Sequence, residues 1–155
     1  MTALRSLVNT NLVTAMKAGE KKTVTTLRML QAAVKNKEID LRTQGPEEKQ
    51  SEDALILDII AKMIKQRQDS IQLYEKGGRN DLVESEQAEI TILEAYLPKQ
   101  LDDEGITKAT AEVIEALQAS GMKDMGRVIA KLKGQYAGQM DMGRAATIVK
   151  AQLAR

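Results

Sequence analysis

Apolar residues recur at helical spacing along nearly the whole chain, and no stretch alternates as a half-buried strand would. Leu4, Leu7, Val8, Leu12 and Ala15 mark a first helix that stops near Gly19. Val24, Leu27, Leu30, Val34 and Leu41 mark a second, ended by Gly45-Pro46, since proline cannot continue a helix. Ser51 is an N-cap for a third, whose buried stripe is expected to be Ile56, Ile59, Ile60, Met63, Ile64, Ile71 and Tyr74, closed by Gly77-Gly78. Lys65 and Asp69 stand at i,i+4 within it. A fourth helix follows Asn80 or Asp81, with Asp81 to Glu84 as a weak capping signal. It carries Val83, Ile90, Leu93 and Leu97 and ends before Pro98. Three shorter helices are expected at about 103–119, 123–136 and 142–154, parted by Ser120-Gly121 and by residues 138–141, with Asp141 as the last N-cap. The fold class is therefore all-α: an N-terminal bundle of about four helices over 1–97, then a three-helix domain over 98–155.

The side-chain inventory supports that class and removes much chemistry. Three Tyr are the only aromatics in 155 residues, so the core is aliphatic, as in packed helices. Histidine and cysteine are absent. Without them there is no Cys nucleophile, His base, haem, iron–sulfur cluster or zinc site with N or S ligands, and no disulfide. No metal and no cofactor is expected. The start of the chain lacks a continuous apolar stretch, and charges interrupt every later apolar run, so no membrane partner and a cytoplasmic location are expected.

Remaining candidates for chemistry are few. Glu86 and Glu89 share a helix face with Glu94 nearby, but a di-iron bundle needs Glu-x-x-His pairs, so a solvated acidic face is the reading. Gly77-Gly78-Arg79-Asn80 looks like a phosphate-cradling turn only superficially and reads as a helix–helix turn. Arg28, Lys65, Arg67 and Arg79 read either as part of a protein-docking surface or as partners of neighbouring carboxylates. No catalytic residue is assigned.

Charge is the informative feature of the carboxyl end. The chain has a net charge of +1. Residues 1–96 sum to −1, residues 97–121 to −3 and residues 122–155 to +5. On a helix over 123–136, Met125, Val128, Ile129, Leu132 and Tyr136 form a core face, and Lys123, Arg127 and Lys131 follow each other on the opposite side. Gly134 falls in the same basic sector, where a missing side chain would let a phosphodiester touch the helix. The other reading is an ordinary amphipathic helix, with Gly134 as a kink. With no aromatic platform for stacking bases, an RNA partner would be a folded one read by shape and phosphates, and tRNA meets that description.

Several segments together carry a resemblance. They are Thr26-Leu27-Arg28-Met29-Leu30, Ile64 to Ser70, Gly78-Arg79-Asn80-Asp81-Leu82, Glu86 to Ile90, Tyr96-Leu97-Pro98-Lys99-Gln100-Leu101 and Lys123-Asp124-Met125-Gly126. On these the chain resembles the YqeY family (GatB/YqeY domain), free-standing relatives of the C-terminal region of the GatB component of the glutamyl/aspartyl-tRNA amidotransferase. Gly105 and Met142 depart from the family pattern. The resemblance implies a two-part helical fold whose smaller part is similar to the amidotransferase tail that contacts the tRNA elbow. It implies a non-catalytic tRNA-binding accessory, with Lys123, Arg127, Lys131, Gly134, Arg144 and Lys150 as the nucleic-acid-binding set. Carbon–nitrogen ligation with glutamine as amide donor is associated with the family by homology, and the chain has no room for that catalytic module. The alternative is an adaptor docking a tRNA-handling enzyme without touching RNA itself.

Overall fold

A computed structural model describes residues 2–43, 51–136 and 138–154. Among them every regular element is helical. The chain divides into two compact units, Met1–Leu97 and Pro98–Arg155.

The first unit holds α1 (Ala3–Ala18), α2 (Lys21–Thr43), α3 (Glu52–Lys76) and α4 (Asn80–Glu94). Thr2 caps α1 by accepting from the Arg5 N–H. Gly19 ends it at φ 73°, a left-handed turn that glycine adopts without strain. The end of α2 expected at Gly45-Pro46 lies outside the described residues. Ser51 caps α3, its hydroxyl accepting from Ala54 N–H at 3.1 Å. α3 packs most extensively against α4, and α2 touches each of the other three helices. Leu27, Leu30, Ile60, Ile90 and Leu93 are completely enclosed at the centre of this core.

Four local expectations are corrected here. The buried stripe of α3 includes Leu55 and Arg67, while Ile71 and Tyr74 are only half-buried. The ion pair within α3 is Lys62–Asp58 at 3.5 Å, not Lys65–Asp69. Asp81 does not cap α4: it lies inside the first turn and its carboxylate takes the Arg79 guanidinium instead, at 3.0 and 3.1 Å. α4 ends at Glu94, before Leu97, because the chain tightens into two successive turns, Leu93 to Tyr96 and Glu94 to Leu97.

The second unit holds α5 (Asp103–Leu117), a 3-10 turn at Met122–Asp124, α6 (Met125–Gln135) and α7 (Met142–Leu153), each helix packed on the other two. Residues 123–136 thus form a turn followed by a shorter helix rather than one continuous helix. Ile106, Val113, Val128, Leu132, Ala145 and Val149 close the core. Asp102 caps α5, its carboxylate accepting from Gly105 N–H at 2.8 Å. That cap accounts for Gly105, since a Cβ there would stand 3.2 Å from both Asp102 Oδ1 and Leu101 Cδ2. Asp141 caps α7 through Gly143 N–H at 2.8 Å. Met142 sits partly buried against this core.

Candidate nucleic-acid interface

The α6 face opposite the core is formed by Gly126, Arg127, Ala130, Lys131 and Gly134, all exposed. Val128 and Leu132 anchor the other side in the core, and Met125, Ile129 and Tyr136 pack against it. One feature of composition sharpens this face: α6 and α7 together contain five Lys or Arg and no carboxylate. α5 is their opposite, with four carboxylates and one Lys. A Cβ added at Gly134 would meet nothing within 4 Å, so the position is open to solvent, and α6 continues past it to Gln135.

The six candidate residues are not equally placed. Arg127, Lys131 and Gly134 lie together on one face of α6, by helical spacing. Lys123 is exposed in the 3-10 turn that leads into α6. Arg127 donates to Leu117 O at 3.3 Å and pairs with Asp124 at 3.2 Å. Arg144 leans on the first turn of α5, its Nε 3.0 Å and its Nη2 3.2 Å from the two Asp103 carboxylate oxygens. Lys150 is exposed two turns further along α7. The structure therefore gathers the α6 residues and ties Arg144 to α5. Both arginine pairs are solvent-exposed on the arginine side, and such pairs are worth ~0–1 kcal/mol, little enough for a phosphate to replace the carboxylate.

Electrostatics at the head of α6 are dominated by Asp124. Ser120 N–H donates to its Oδ2 at 2.8 Å and holds its carboxyl below the ordinary range, with the Arg127 and Lys123 charges acting the same way. The 3-10 turn that presents Lys123 is thereby fastened from both sides.

Of the other cations singled out in the sequence, Arg67 and Arg79 pair with carboxylates, whereas Lys65 is exposed. Glu89 is committed to Arg67 at 2.9 Å. Among the described residues no group of three or more acidic side chains could hold a metal ion, and no helix is long and apolar enough to cross a membrane. The Gly77-Gly78 turn closes with Arg79 N–H on Tyr74 O at 2.9 Å, and its one cation is the partner of Asp81. Tyr96 packs against the first core with its hydroxyl accepting from Asn11 Nδ2 at 2.9 Å, and Tyr136 packs against the second, so neither is a stacking platform.

A concave site in the first unit escaped the sequence reading. Between α1 and α2 lies a groove of about 460 Å³ with α3 at its floor. α1 and α2 carry eight Lys or Arg against Glu38 and Asp40, whereas α3 and α4 carry four against ten carboxylates. Counting charge helix by helix would have exposed this polarity. Summing it over 1–96 cancels it.

A family model described as Yqey-like protein matches residues 5–153. Among curated proteins, "Altered inheritance of mitochondria protein 41, mitochondrial" of Eremothecium gossypii is 34% identical over 143 residues, covering 90% of this chain and 75% of that protein. The protein of the same name from Lachancea thermotolerans is 33% identical over 144 residues, 91% of this chain and 74% of its own. That of Kluyveromyces lactis is 43% identical over 82 residues, 53% and 42%. These names overturn the expected cytoplasmic location: the relatives are mitochondrial proteins, and a reading of apolar runs alone did not point to that compartment.

Proposed function

The chain belongs to the Yqey-like protein family, and from that premise we propose that it is a non-catalytic accessory protein whose second unit holds a folded RNA of tRNA type by its phosphates. The observation that carries this reading is the exposed face of α6, where Arg127 and Lys131 are followed by an unobstructed Gly134 on a helix without a carboxylate. Cations neutralise phosphates, and a glycine one turn beyond them lets the sugar–phosphate backbone approach the helix. Lys123, exposed in the 3-10 turn that leads into α6, adds a cation before the helix. Arg144 and Lys150 flank it, the former after exchanging Asp103 for a phosphate. With Tyr96 and Tyr136 engaged in packing, recognition rests on backbone and shape rather than on stacked bases. The relation to the tail of a tRNA-dependent amidotransferase, and through it to carbon–nitrogen ligation, belongs to the same proposal as a role in assisting translation.

The test is retention of bulk tRNA by the full chain over a series of salt concentrations. If ~3–5 phosphates are neutralised, the log–log slope is about −2 to −4. Changing Lys123, Arg127 and Lys131 together to Glu abolishes retention while far-ultraviolet circular dichroism stays unchanged. Full retention by that variant rejects the reading. Capture of an RNA-handling enzyme that survives nuclease treatment would favour the adaptor alternative.

A further inference from the structure

The groove of the first unit is independent of the α6 face and combines two chemistries. Its aliphatic part is made by Val8, Leu30, Val34 and Ile56, beside Gln31, whose amide donates to Asn9 Oδ1 at 2.7 Å across the same lining. Its rim carries Lys35 and Arg42, both exposed and separated by two turns of α2. Glu38 stands one turn from each of them, yet it pairs with Arg5 across on α1, and Arg5 also meets Glu52. Arg5 and Glu38 both line the groove, so the carboxylate nearest the rim is already paired within the lining, and Lys35 and Arg42 remain as the exposed cations. Ile39, 47% exposed, leaves an uncovered apolar side chain at the mouth.

We infer that this groove binds a single anionic amphiphile, an aliphatic chain ending in a carboxylate or phosphate. The chain lies on the aliphatic part and the head is held between Lys35 and Arg42. Each half of the lining excludes a simpler ligand. A small inorganic anion gains nothing from an aliphatic surface, because burying charge against it costs solvation. A neutral alkane leaves two cations unanswered. The volume, about 460 Å³, falls within the range of small-molecule sites. Lys35 and Arg42 are about 10 Å apart along the helix, a gap that two long side chains can close around one head group.

Free fatty acids and membrane lipids share this chemistry, and we commit to the free monomer. The experiment titrates the full chain with hexanoate, octanoate and decanoate below their micellar concentrations, beside the matching alkanols, by calorimetry. Affinity is expected to rise about two- to fourfold per added methylene, from the burial of each, until the groove is filled. The alkanols bind about tenfold more weakly, losing the charge-assisted contacts to the rim. The double variant Lys35→Ala/Arg42→Ala lowers carboxylate affinity about tenfold and leaves alkanol affinity unchanged. Both positions are exposed, so circular dichroism and the tRNA slope stay as in the parent. Three results overturn the inference: no saturable alkanoate binding at millimolar concentration, affinity independent of chain length, or indifference to the rim variant. Binding confined to phosphatidylglycerol vesicles, or to an acidic amphipathic peptide, overturns it too, since either would use the surface without the groove.

Discussion

Arg67 is 6% exposed on α3, and three groups compete for its guanidinium. Glu89 Oε2 on α4 accepts at 2.9 Å, Met63 O at 3.1 Å, and the Met29 sulfur lies 3.8 Å away. A buried cation is tolerated only with its partners in place, because the cost of removing it from water is repaid by them alone. Glu89 retains 19% side-chain exposure, which places the loss at the low end for a broken buried pair. Arg67→Ala should therefore cost about 3 kcal/mol in urea unfolding of the full chain. The double variant Arg67→Met/Glu89→Leu should lose less than either single change, because no charge is left stranded. A double variant that loses the sum of the two singles would show that the pair contributes nothing as a pair. The residue's pairing was half legible in the sequence. Ion pairing with a carboxylate was one of two readings, but the partner lies 22 residues away on another helix, beyond the reach of i,i+4 rules.

Elements were the most legible level, for reasons that differ from helix to helix. The periodicity of α1, α3, α5 and α7 and the caps at Gly19, Ser51 and Asp141 are local signals, decided by residues within one turn. The end of α4 and the 3-10 entry to α6 are not local in that way. At α4 the apolar period continues through Leu97, so the spacing alone could not show the tightened turns after Glu94. At α6 the deciding contact is Asp124 with Ser120 N–H, made by the loop before the helix. That contact yields a pH prediction. The folded state holds the Asp124 carboxyl below its ordinary range, so the folded chain binds its proton less readily than the unfolded chain. Its contribution is complete above the ordinary value, near pH 4, and is lost as the pH falls through the lower folded value. Glu52, held down chiefly by Thr2, and Asp81, held down chiefly by Arg79, act in the same direction. The urea midpoint should therefore be flat from neutral to about pH 5 and fall in more acid solution. Asp124→Asn should show a shallower fall, with the two curves converging at the acid end. Parallel curves would mean that Asp124 titrates alike in both states.

At the scale of the whole molecule a net charge of +1 conceals strong local polarity. The α1–α2 pair is cationic, α4 has five carboxylates and no cation, α5 is acidic, and α6 with α7 has no acid at all. The basic carboxyl end was visible in the sequence because its cations and the acids of α5 fall in separate stretches. The polarity of the first unit was not, because its basic and acidic helices average out over one long stretch. The same physics decides whether the α6 surface works as proposed. Arg144 now spends its charge on Asp103, with side-chain exposures of 63% and 62%, a pair too hydrated to contribute much to stability. Asp103→Asn should leave the unfolding midpoint within error of the parent. If Arg144 joins Lys123, Arg127 and Lys131 on a phosphate backbone, the same change frees one more cation for it. Affinity for tRNA should then rise, and the log–log salt slope should steepen by about 1. A slope that does not move would remove Arg144 from the contact surface and confine the RNA to α6 and the turn that leads into it.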